Sequence, residues 1–161
     1  MKRRLGKFGI IFLALAVALS LGLGFVAQAP AVSADSNVTV KLLDSNGGGL
    51  SGGTVQYYDS GWKTAGSTDA SGVCTFTYGG SATKLSIKMT YAGYTQQKSN
   101  VDISSTNPLV FTTVKMQVKL EDSSSNGLKG GVVKYYASGW KSFGITGDDG
   151  NTPGVELLPG K

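Results

Sequence analysis

The chain of 161 residues has no histidine and a single cysteine. Without histidine there is no Ser-His-Asp triad, no imidazole general base and no His-ligated metal. One cysteine can form neither an intramolecular disulfide nor a zinc cluster, so an exported fold built from this chain must rest on its hydrophobic core. Arginine is confined to Arg3 and Arg4. Four of the 15 cationic residues, Lys2, Arg3, Arg4 and Lys7, lie at the N-terminus. That leaves 11 lysines against 10 acidic residues, a balance of +1 rather than the +5 of the whole chain. A nucleic-acid surface needs a basic stripe, usually with arginine. None is present, so the basic pI belongs to the leader and no nucleic-acid partner is expected. Segments with helical periodicity and phosphate-binding glycine loops are also lacking.

What the N-terminus has is a secretory pattern. Lys2, Arg3, Arg4 and Lys7 precede an apolar run over residues 10–26, and Val32-Ser33-Ala34 places small side chains at the positions a signal peptidase requires. An earlier site, Ala27-Gln28-Ala29, is followed by Pro30, which hinders cleavage. Residues 1–34 are therefore expected to be a helical signal peptide cut after Ala34. The alternative, an uncleaved anchor, is weakened by Ser20, Gly22 and Gly24 in a run near the lower limit for spanning a bilayer. The membrane is expected to matter only during export.

Beyond the leader the chain repeats itself. Residues 40–72 recur without a gap as residues 118–150, with an offset of 78 and 19 of 33 positions identical. This period exceeds that of solenoid repeats and suits a whole small domain. Val38, Val40 and Leu42 alternate with polar neighbours, the pattern of a half-buried strand. Further strands are predicted at Thr54–Tyr58, 62–65, Val73–Tyr78, around Leu85, Ile87 and Met89, at 95–103 and at 109–114. Turns rich in Asn, Asp, Ser and Gly separate them. Most of the 24 glycines fall in such turns. The predicted fold is all-β: tandem small antiparallel sandwiches of prealbumin-like or Ig-like type, with modules at 37–115 and 116–161. No Pro/Gly/Ser break separates Phe111-Thr112-Thr113-Val114 from Lys115-Met116-Gln117-Val118, which predicts a stiff joint. The second copy ends at the position before the Leu85-like strand of the first. It is expected to be an incomplete, poorly stable module of a longer protein, with open sheet edges and an exposed core face.

Cysteine, carboxylate and aromatic side chains are the groups here that could carry chemistry or binding. Cys74 lies on the face of Phe76 and Tyr78, and Thr152 takes its place in the second copy, so a buried packing role is preferred over a reactive thiol. Asp148-Asp149-Gly150, and Asp69 with Asp44, offer calcium-type oxygens, but without EF-hand spacing, and turn formation is preferred. A glycosidase pair has no evident cleft to occupy. No cofactor or metal is expected. The aromatic motif Tyr-Tyr-x-Ser-Gly-Trp-Lys supplies the candidate ligand-binding residues Tyr58, Trp62, Tyr136 and Trp140. With Val55 and Tyr57 inward, Tyr58 faces out and Trp62 lies beside it, a platform able to stack on sugar rings. Packing over the turn to cap the core is the competing role and the preferred one.

The run Asp44-Ser45-Asn46-Gly47, then Leu50-Ser51-Gly52-Gly53-Thr54-Val55, then Thr68-Asp69-Ala70-Ser71-Gly72, and finally Ala92-Gly93-Tyr94, resembles the prealbumin-like β-sandwich modules of bacterial surface proteins. These include carboxypeptidase regulatory-like domains and the B-type repeats of Gram-positive adhesins and pilins. Leu158-Pro159-Gly160 is similar to the turn before the family's next strand. The resemblance covers nearly all of residues 37–161. Together with the export signal, the tandem repeat and the missing catalytic groups, it points to a non-catalytic extracellular structural or adhesive module, secreted or attached to the cell wall, with matrix, cell-surface or polysaccharide ligands. The alternative is a carbohydrate-binding accessory module of a secreted enzyme. Many B-type pilin modules carry a Lys–Asn or Lys–Asp isopeptide promoted by a buried Glu. Here Lys41 falls opposite Val40 and Leu42, and Met89 stands where the Glu would be. Intact-mass spectrometry of the folded chain is accordingly expected to show no loss of ammonia or water; one such loss per module would establish the cross-link.

Overall fold

The computed structural model describes residues 35–160, and the proposed signal peptide lies outside them. All regular structure within this range is β. In the first copy, β1 (Ser36–Leu43) sits between β4 (Val73–Tyr78) and β7 (Leu109–Thr112). A second sheet orders β3 (Trp62–Ser67), β2 (Thr54–Tyr58), β5 (Lys84–Tyr91) and β6 (Tyr94–Asp102). The inner faces of the two sheets share one core. Val38, Val40 and Leu42 of β1 meet Val55, Leu85, Ile87 and Met89 of the second sheet, with Cys74, Tyr78, Leu109 and Phe111 filling in. Each fully buried aliphatic side chain of this kind contributes roughly 1.5–3 kcal/mol.

The seven strands of the first copy were legible, with two corrections. The pairing is not wholly antiparallel, because β7 runs parallel to β1, with Val40 opposite Leu109 and Leu42 opposite Phe111. The long excursion through β2–β6 separates the two strands, so no hairpin forces them to be antiparallel. The strand predicted over 109–114 is also broken. Thr113 leaves the ladder, its N–H donating to Leu43 O at 2.9 Å, and β8 (Val114–Met116) starts on the next residue.

β8 pairs with β11 (Val155–Leu157), and β9 (Val132–Tyr136) pairs with β10 (Trp140–Ile145). The copies share their local devices. The Thr68 hydroxyl donates to Leu50 O and accepts from Gly53 N, and Thr146 does the same with Leu128 O and Gly131 N. Gly72 and Gly150 both have positive φ, 74° and 77°, and a Cβ at either would run into the carbonyl of Leu42 or Leu120. Asp44 Oδ1 accepts from the N–H groups of Asn46 and Gly48, and Asp69 Oδ1 from those of Ser71 and Val73. These carboxylates close their own turns.

The copies are also clasped. The corner at Ala92 and Gly93 sits on the turn after β9, where Ala137 is only 4% exposed. The Tyr135 hydroxyl donates to Ala92 O and the Tyr94 hydroxyl to Tyr136 O, both at 3.0 Å, and the two rings stack 6.0 Å apart. Burial first, then the neighbouring Tyr94 and Tyr91, pushes the Tyr135 hydroxyl pKa up. Leu158, just past β11, enters the core of the first copy. The Glu156 carboxylate accepts from Thr113 Oγ1 at 2.6 Å, Ser45 Oγ at 2.7 Å and Ser45 N at 3.2 Å.

Two variants test these contacts by equilibrium denaturation. Leu158→Ala should cost about 2–5 kcal/mol through the lost burial and the cavity it leaves. Ala137→Asp, which installs the residue of the first copy, should cost on the order of 2 kcal/mol by desolvating a carboxylate against the Gly93 corner. Stability within 0.5 kcal/mol of the parent, roughly the limit for neutral surface changes, would mean the clasp is absent in solution.

Candidate functional site

Each aromatic motif is a hairpin whose local geometry dictates where its rings go. In the first, Asp59, Ser60 and Gly61 form the turn, with Ser60 at φ 56° and Gly61 at φ 154°. Tyr58 and Trp62 are then the cross-strand pair flanking the turn. Ser138 at φ 53° and Gly139 at φ 137° repeat the turn, and Tyr136 pairs with Trp140. A slip in register farther along each hairpin, at Val55/Gln56 and at Ser142/Gly144, is repeated as well.

Alternation divides the tyrosines as the sequence predicts. Val55 is fully buried, and Tyr57 packs beside it, stacked on Phe76 at 4.8 Å. Tyr58 points outward at 50% exposure with Trp62 at 38%. Their rings meet edge to face at 5.5 Å and 74°. Tyr136 and Trp140 repeat this at 5.6 Å and 79°, more openly, at 62% and 72% exposed. The four candidate residues thus form two separate outward pairs, one on each hairpin, rather than caps on the core.

The pairs differ in their surroundings. The Lys88 ammonium lies 4.1 Å from the Trp62 ring centroid, a cation–π contact that occupies one face of the indole. Lys63 pairs with Asp59 at 2.6 Å, and that hydrogen bond, opposed by slight burial, raises the lysine pKa. In the second hairpin Ala137 stands in place of Asp59, because the corner of the first copy covers that position. The outer face there is also more apolar: Thr54 and Ser67 are paired in the first hairpin, Val132 and Ile145 in the second, at 67% and 58% exposed. An edge-to-face pair offers a ligand one open indole face and the hydroxyl-bearing edge of a tyrosine. Trp140 presents its indole more freely than Trp62.

Cys74 and three aspartates are tied into structure. Burial first, with Asp69 second, pushes the Cys74 thiol up, and the side chain is a free, buried cysteine. Asp102, Asp122 and Asp149 are held below the ordinary carboxylate range, chiefly by hydrogen bonds from Ser104, Asn126 and Asn151 in their own turns. A general acid needs the opposite shift. Lys41 lies on the outer side of β1 and Met89 is fully buried, as the sequence indicates. The residues that sequence reasoning passed over are Glu156, Tyr94 and Ala137. One signal was available: Asp59 becomes Ala137 inside an otherwise repeated motif.

Acrylamide quenching should separate the two indoles. Trp140, studied in a Trp62→Phe chain, is expected to be quenched about twofold more efficiently than Trp62 in a Trp140→Phe chain, in line with their exposures of 72% and 38%. Lys88→Ala should raise the quenching of Trp62 alone. Equal quenching of both would contradict the different surroundings of the two pairs.

No known family profile matches the chain, and no curated protein matches it significantly in sequence. Among solved structures, the chain is similar to the Bacillus anthracis TIE protein at 15% identity, covering 77% of this chain and 26% of that one, with a TM-score of 0.39. It is also similar to a streptococcal ancillary pilin at 17% identity, covering 81% and 51%, with a TM-score of 0.33. The chain therefore spans about a quarter and about half of these two proteins.

Proposed function

We propose that the chain is a non-catalytic structural or adhesive element of a bacterial surface protein, exported by its N-terminal leader and built from tandem prealbumin-like sandwich modules. The observation that carries this reading is the clasp between the copies. Glu156 accepts three hydrogen bonds from the first copy, Tyr135 stacks on Tyr94, and one residue, Thr113, separates β7 from β8. Such a joint suits a stalk that holds a binding surface away from the cell, since it resists bending where a linker would not. The resemblance of its turn motifs to those of B-type adhesin and pilin repeats favours the same role, and its ligands would be matrix, cell-surface or polysaccharide components.

A second reading, carbohydrate binding as an accessory to a secreted enzyme, is favoured by one observation: the outward Tyr58/Trp62 and Tyr136/Trp140 pairs. A glycan array separates the two. Saturable binding that is lost in Trp62→Ala or Trp140→Ala would favour the accessory role. Absence of binding, or binding indifferent to these changes, would sink it.

Stiffness has its own test, with a defined pH dependence. Burial raises the Glu156 pKa, but the hydrogen bonds from Thr113 and Ser45 outweigh it, and the net shift is downward. A folded pKa below the unfolded value, about 4.3 for Glu, means the contribution is complete above that value. It is then lost as pH falls through the depressed folded pKa. NMR relaxation should show the copies tumbling as one body at neutral pH and loosening only in acid, with Glu156→Gln removing that transition. Independent tumbling at neutral pH would overturn the stalk.

A further inference from the structure

The outer face of the sheet β3-β2-β5-β6 is formed by the first copy alone. Leu85, Ile87 and Met89 of β5 point into the core, so alternation turns Ser86, Lys88 and Thr90 outward. Cross-strand register then lays the outer side chains in rows. Tyr58 stands between Trp62 and Ser86. The next row crosses all four strands as Thr64, Gln56, Lys88 and Gln97, and the row beyond it holds only serine and threonine. Lys88 is the one charge in these rows. Its ammonium rests 4.1 Å from the Trp62 ring centroid and joins none of the ion pairs among the described residues.

The middle row has a defined hydrogen-bonding polarity. Gln56 Nε2 donates to Thr64 Oγ1 at 3.2 Å, and Gln97 Nε2 donates to Ser99 Oγ at 2.8 Å. Each amide carbonyl is left as a bare acceptor. From β2 to β6 the row therefore presents an acceptor, a donor and an acceptor: Gln56 Oε1, Lys88 Nζ and Gln97 Oε1. A carboxylate, sulfate or phosphate only accepts, so it answers Lys88 but sets its lone pairs against both amide carbonyls. A hydroxyl both donates and accepts, and a run of hydroxyls satisfies all three groups. Strands lie about 4.8 Å apart, so a row of four spans about 14 Å, longer than one sugar ring. Trp62, at the β3 side of the adjoining row, adds a flat apolar face on which such a ring stacks. The second hairpin does not repeat this chemistry. Lys134 stands in place of Gln56, and Val132 and Ile145 replace Thr54 and Ser67.

We propose that this outer face of the first copy is the binding face within the carbohydrate-binding reading, on which the assignment rests, and that its ligand is an uncharged polysaccharide. The polymer stacks on Trp62 and hydrogen-bonds along Gln56, Lys88 and Gln97. Isothermal titration calorimetry on the full chain tests this, with xyloglucan, galactomannan and dextran as neutral probes and polygalacturonate and alginate as acidic ones. At least one neutral polymer should bind saturably, and both acidic ones about tenfold more weakly. Trp62→Ala should abolish that binding, and Trp140→Ala should leave it unchanged. Lys88→Ala and Gln97→Ala should each weaken it about fivefold through one lost hydrogen bond. Gln97 is exposed, so that variant should fold normally. An acidic polymer that binds as tightly as the neutral ones, or binding indifferent to both Lys88 and Gln97, overturns the proposed face and ligand but leaves sugar binding in place. Binding lost in Trp140→Ala and kept in Trp62→Ala does the same. No binding to any of the five polymers overturns the proposal and the carbohydrate reading together.

Discussion

The burial of one face of β1 is the constraint on which the other elements depend. With no disulfide to staple the chain, Val38, Val40 and Leu42 must be covered from both neighbouring strands and from the opposite sheet. Their place at the centre of the core explains why β4 and β7 flank β1 and why Phe111 and Met89 are buried against it. It also fixes the turn chemistry. Leu42 donates to Gly72 O and accepts from Leu50 N, so the glycine turn at residue 72 must approach the strand more closely than a side chain would allow. The second copy repeats this arrangement at Leu120, Gly150 and Leu128. There the same alternation meets less cover and leaves Val118 and Leu120 partly in solvent.

The clasp between copies follows from small divergences within the repeat. A carboxylate at Asp59 is comfortable in the first hairpin, where Lys63 pairs with it in solvent. At the equivalent place in the second, a carboxylate would be desolvated under Ala92 and Gly93, and alanine stands there instead. The buried Glu expected of an isopeptide-forming module is absent at Met89. Glu156 accepts hydrogen bonds across the joint, from Ser45 and Thr113.

The aromatic pairs show how one motif acquires two environments. Both are edge-to-face contacts created by a three-residue turn, which makes their geometry a local property. What lies over the indole is not local. Lys88 comes from β5, the next strand across, and reaches Trp62 because β5 pairs with β2.

Strand order along the chain, the inward set on β1, the outward direction of Tyr58 and Tyr136 and the turn role of Asp44 and Asp69 were legible in the sequence. Each is a matter of period-2 alternation or of a side chain bonding its own backbone, and neither needs a distant partner. Three features were not legible: the parallel pairing of β7 with β1, the break at Thr113, and the joint built from Glu156, Tyr94, Tyr135 and Leu158. They join residues between 41 and 111 positions apart, and no local pattern specifies which distant group a carboxylate or a tyrosine hydroxyl will meet. The sequence by itself determined an all-β chain with a repeated hairpin. Only the tertiary structure decided which faces are covered, because cover depends on the strands that happen to be neighbours in space.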